Sequence, residues 1–116
     1  MSKGLRDREF LDDILNAGGR IAEYIDGLSL SGFLKDFKTQ DAVVRNLEII
    51  GESSKNVSET LKAKYPEIPW KKLSGLRDKL IHFYFGVDYK IVWNVAKKEI
   101  PKILKSLRNI MQSELL

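Results

Sequence analysis

The sequence predicts an all-α protein, an up-and-down bundle of four main helices. Apolar residues recur at three- and four-residue steps through four long stretches, as they do in helices that each bury one stripe. No stretch shows the alternation of a half-buried strand. Turn-forming clusters separate the stripes: GLSLSG at 27–32, YPEIP at 65–69 and GVD at 86–88.

The first helix is expected over residues 5–27, with Phe10, Leu11, Ile14, Ile21, Ile25 and Leu28 as its buried stripe. Gly18 and Gly19 each cost it about 1 kcal/mol relative to alanine, so a bend is allowed there, and a glycine pair also admits a close neighbour. A short helical turn follows at 33–36, with Phe33, Leu34 and Phe37 as core anchors. The second long helix is expected over 39–64 on the stripe Val43, Val44, Leu47, Ile50, Ser54, Val57 and Leu61. Gly51, Ser54 and Ser58 make a smooth strip suited to close backbone approach, within the chain or between two copies. Arg45, Glu48 and Glu52 are spaced for intrahelical ion pairs.

Pro66 and Pro69 end that helix and prepare the next, because proline breaks a helix interior but suits its first turn. The third helix is expected over 70–85, burying Trp70, Leu73, Leu76, Leu80 and Phe83. Gly86 then reads as a stop and Asp88 as a new N-cap. The last helix runs from 88 to about 112 on Ile91, Val92, Val95, Ile100, Ile103, Leu104, Leu107, Ile110 and Met111, with a kink or short break near Glu99 imposed by Pro101.

At 116 residues the chain is expected to be one domain, 1–116, with a core of useful size. No apolar run reaches bilayer length and the N-terminus MSKGLRDREF lacks a signal-peptide core, so a cytoplasmic protein is the default. With no cysteine and one histidine, a disulfide framework and a zinc site are both disfavoured, and no spaced acidic cluster proposes magnesium; no cofactor is expected. Charge is lopsided. Residues 1–58 carry 8 Lys and Arg against 10 Asp and Glu, whereas residues 59–116 carry 12 against 6. The basic half suits a polyanionic partner, or is simply a lysine-rich solvated surface.

That basic half contains LRDKLIHFY at 76–84, with the only histidine, His82, between Arg77 and Tyr84. On an ideal helix Arg77 and Tyr84 lie within about 20° of each other, but His82 lies about 140° from Arg77. Asp78, four residues before His82, can support it by hydrogen bonding or charge. Fraying near Gly86, the long arginine side chain, or a second copy of the helix across a two-fold axis would close the gap. In such a cluster histidine is a general acid or base, arginine holds a phosphate, and the 2′-hydroxyl of RNA supplies a nucleophile without a metal. On spacing alone, a capped helix end with a hydrogen-bonded histidine is the plainer account.

Arg77, four residues, His82, one residue and Tyr84 resemble the motif of the HEPN superfamily, specifically its HepT-like toxins. The blocks RNLEIIGESSKNVSE (45–59), YPEIPWKKLSGLRDKLIH (65–82) and YFGVDYKIVW (84–93) resemble that family in the same order. The resemblance implies a four-to-five-helix HEPN-like bundle, a two-fold homodimer with both motifs lining one cleft, and metal-independent endoribonuclease activity on mRNA or tRNA. It further implies a toxin–antitoxin pair in which a minimal nucleotidyltransferase antitoxin silences the toxin by adenylylating the motif tyrosine. Carried onto this chain, Arg77 and His82 become the catalytic pair and Tyr84 the AMP acceptor. Lys71, Lys72 and Lys79, on or just before the motif helix, become candidate RNA contacts, although a solvated surface is the plainer role of each. Many HEPN domains carry asparagine after the motif arginine; Asp78 here adds a negative charge able to pair with Arg77 or His82 and to repel RNA phosphate. A non-cleaving nucleotide-binding or assembly module supporting a nucleotidyltransferase is the alternative function.

Overall fold

The computed structural model describes residues 3–81 and 86–114, with the side chains of 3–5, Arg77, Ile81 and Glu114 outside that description. Among the described residues every regular element is helical. Helix α1 spans Lys3–Ile25 and packs most extensively against α3, Phe37–Asn56. Helix α2, Leu30–Lys35, bridges them; α4, Glu59–Lys64, α5, Trp70–Ser74, and α6, Leu76–Ile81, follow. Helix α7, Tyr89–Asn94, runs through a π-helical segment, Val95–Glu99, into α8, Ile100–Glu114.

The predicted stripes converge on one core. Leu11, Ile14 and Ile21 of α1, Val43, Leu47 and Ile50 of α3, and Leu107 of α8 are all buried, each stabilising the fold by about 1.5–3 kcal/mol relative to exposure. The two central glycines of α1 divide their roles. A β-carbon on Gly18 would sit 2.5 Å from Leu104 Cδ2, so this glycine lets α8 approach α1; one on Gly19 would meet nothing within 4 Å.

Helix boundaries differ from the expectation where particular contacts decide them. Helix α1 stops at Ile25 because Gly27 takes φ 78°, a left-handed residue past the helix end. Helix α3 begins at Phe37 because Asp36 caps it, its carboxylate accepting from the Thr39 amide at 3.0 Å and the Thr39 hydroxyl at 2.7 Å. Phe37 therefore occupies the first helical position and is 72% exposed, not a core anchor. Gln40 takes the inward place, buried and donating to the Phe33 carbonyl at 2.9 Å.

The expected helix over 39–64 breaks at Val57–Ser58. Ser58 caps α4, and the buried Asp7 of α1 accepts from its amide at 2.8 Å and its hydroxyl at 2.6 Å. Near Glu99, where the sequence predicts a kink or short break, the helix passes through the π-helical segment Val95–Glu99 and continues past Pro101. Ile100 donates to Val95, five residues back, and the extra residue in that π turn moves the carbonyl ladder out of register before the proline that cannot join it. Among the described residues Arg45, Glu48 and Glu52 form no ion pair; the small strip of Gly51, Ser54 and Ser58 is buried within the chain.

Candidate active site

The motif region is built on a broken helix. Pro69 precedes α5 and accepts from the Leu73 amide at 2.9 Å, while the Trp70 indole donates to the Tyr65 carbonyl at 2.9 Å, fastening the turn to the helix it starts. Gly75 closes α5, donating to Lys71 at 3.0 Å, and at once accepts from Lys79 at 2.9 Å to open α6. The expected single helix over 70–85 is thus two short ones joined at Gly75. The angular relation of Arg77 to α5 is set by this joint, not by 100° steps.

Helix α3 locates the joint. A β-carbon on Gly51 would lie 3.1 Å from the Leu73 carbonyl oxygen and 3.8 Å from Leu76 Cβ. The backbone of α3 therefore lies directly against the α5–α6 junction, so closely that a side chain at position 51 would crowd it. Leu76 and Leu80, both buried, anchor α6 from the core side. Arg77 lies between these anchors in the first turn of α6. His82 and Tyr84 lie outside the described residues. Beyond them Gly86, at φ 99°, turns the chain, and Asp88 caps α7 by accepting from the Lys90 amide at 3.0 Å and the Ile91 amide at 3.3 Å. The motif is framed by a glycine on each side, each followed by a helix start.

Asp78 is exposed and sits in the first turn of α6, where a carboxylate favours the helix dipole. Lys71 and Lys79 are exposed. Lys72 is instead ion-paired with Glu99 of the π segment, whose other oxygen accepts from the Asn94 amide group at 3.5 Å. That link joins positions 27 apart, and no short-range spacing in the sequence announces it. Lys62, Lys71 and Lys72 line an open groove of about 700 Å³ with Pro66, Ile68, Pro69 and Trp70, and no carboxylate lines it. Among the described residues no group of three or more His, Asp or Glu side chains could hold a metal ion, and no helix is long and apolar enough to cross a membrane.

Residues 14–110 match the family model described as "Ribonuclease HepT-like". The chain belongs to the HepT-like ribonuclease family. It is 45% identical over 105 residues, 90% of this chain and 87% of the other, to a Methanocaldococcus jannaschii protein described as "Putative RNase MJ0127". It is 47% identical over 96 residues, 83% and 87% of the two chains, to a Thermococcus cleftensis protein described as "Probable ribonuclease HepT". A Caldanaerobacter subterraneus protein, "Putative RNase TTE0752", is 44% identical over 107 residues, 92% and 96% of the two chains. No solved structure matches the chain. The HepT-like model spans the α5–α6 joint, the motif and the α7 cap together, so the family assignment rests on the framed region as well as on the core helices.

Proposed function

We propose that this HepT-like protein is a metal-independent endoribonuclease toxin that cleaves mRNA or tRNA in the cytoplasm and is held in check by a nucleotidyltransferase antitoxin. Membership of a ribonuclease family carries the reading, and the resemblance of Arg77, His82 and Tyr84 to the family's motif supports the roles given to them. His82 removes the proton of a 2′-hydroxyl, whose oxygen attacks the adjacent phosphorus. The bond from phosphorus to the 5′-oxygen breaks, and that oxygen takes up a proton as it leaves. Arg77 holds the non-bridging oxygens through charge-assisted bonds that strengthen as negative charge grows on them. The residues 1–116 act as one domain, and two copies pair about a two-fold axis so that both motifs line one cleft. Transfer of AMP to Tyr84 adds bulk and negative charge there, which repels RNA and silences the enzyme.

The buried anchors Leu76 and Leu80 and the close approach at Gly51 support this reading, because a general acid–base site needs a backbone held firmly in place. Lys71 and Lys79 supply cations toward the RNA backbone, and Lys72 contributes less because it is paired with Glu99. The test is RNA cleavage by the purified protein in EDTA. Wild type cuts, and Arg77→Ala and His82→Ala each abolish cutting. The exposed Asp78 beside Arg77 favours a second reading, a non-cleaving module that supports a nucleotidyltransferase. Folded wild type that cuts no RNA and carries no AMP on Tyr84 by mass spectrometry would establish that one instead.

A further inference from the structure

Tyr89, Trp93 and Lys97 follow one another at four-residue steps along α7 and the π segment, which places them on one face. The Lys97 ammonium lies 5.9 Å from the centre of the Trp93 ring. Both rings are braced from beneath by the fully buried Phe33, whose ring centre is 6.5 Å from that of Tyr89 and 5.3 Å from that of Trp93. Each keeps part of its surface in solvent. Residues 86–98 carry three lysines, Lys90, Lys97 and Lys98, all exposed, and a single carboxylate, Asp88, whose Oδ1 is engaged in capping α7. An aromatic, cationic face thus begins five residues past the motif tyrosine.

We propose that Tyr89 and Trp93 form a stacking platform for unpaired RNA bases, just past the cleavage motif along the chain, with Lys97 swinging from Trp93 to the phosphate of the stacked nucleotide. That the ligand is RNA rests on the ribonuclease reading. The chemistry of the face makes the choice within RNA: ring faces take any base that is free of a partner strand, whereas bases stacked within a duplex present none. Phe33 holds the rings rigid, so little ordering is required when a base arrives. The substrate is therefore a single-stranded stretch, and the platform selects for accessible bases without reading their identity.

The test uses the non-cleaving His82→Ala protein and three fluorescent probes of equal length: oligouridylate, an abasic oligomer with the same backbone, and an RNA duplex. Oligouridylate binds tightest. Trp93→Leu or Tyr89→Leu, which keep an apolar side chain against Phe33 but remove the π face, weaken its binding roughly five- to hundredfold and leave abasic binding unchanged. Lys97→Ala lowers the salt slope by about one for oligouridylate. Equal binding of abasic and base-bearing probes, or leucine variants that bind as the parent does, would overturn the proposal. So would a change of mass in Trp93→Leu by light scattering, which would assign the face to a second copy. Wild-type cleavage in EDTA is scored separately. Its absence beside base-dependent binding sinks the nuclease reading alone, and its presence beside indifferent leucine variants sinks the platform alone.

Discussion

Asp36 ends α2 and caps α3, and its carboxyl is held below the ordinary 3.8, first by the Thr39 hydroxyl and then by the Thr39 amide. A lowered folded value means that the cap stabilises fully above the unfolded pKa and is lost as pH falls through the folded one. Asp36→Ala should therefore melt below wild type at neutral pH, and the gap should close well below pH 3.8. Gly18 and Gly19 offer a paired comparison. Alanine at either removes the same helix penalty, about 1 kcal/mol. Only at Gly18 does the new methyl collide with Leu104, and overpacking costs about 1–3 kcal/mol. Gly19→Ala should raise the urea midpoint, and Gly18→Ala should fall below it by that difference.

At the scale of elements, the α5–α6 joint is where packing and chemistry meet. Gly51→Ala would press a methyl onto the Leu73 carbonyl at 3.1 Å, and backbone has no rotamer by which to yield. The joint should shift away from α3 at a stability cost of about 1–3 kcal/mol. A shift of a few tenths of an ångström at the joint is carried into α6, and misplacing a reacting group lowers the rate steeply. RNA cleavage by Gly51→Ala should thus fall much further than its folded fraction, compared under conditions where circular dichroism reports full helix content. The Gly51 strip was legible in the sequence as a run of small residues; that it serves this joint was not, because spacing along one helix does not say which neighbour arrives.

For the whole molecule, the second half carries the excess of positive charge, and the fold decides which of its cations are available. Lys71 is exposed on the groove and makes no ion pair among the described residues, whereas Lys72 is paired with Glu99. Lys71→Ala should lower the salt slope of RNA binding by about one, and Lys72→Ala by less, in titrations across salt concentrations.

The sequence by itself determined the helical class, most of the buried stripes and the framing of the motif by Pro66, Pro69, Gly86 and Asp88, because these follow from periodicity and capping over neighbouring residues. The break at Gly75 was not read from it. The tertiary structure decided the rest. Asp7 of α1 reaches the Ser58 cap and separates α4 from α3; Gly51 admits the α5–α6 joint; Glu99 claims Lys72; and a π turn carries the last helix past Pro101. Phe37 is a local case: Asp36 caps α3 by accepting from the Thr39 amide and hydroxyl, which puts Phe37 at the first helical position and in solvent. The long-range contacts hang on which segments the folded chain brings together, and residue spacing along one helix does not encode that.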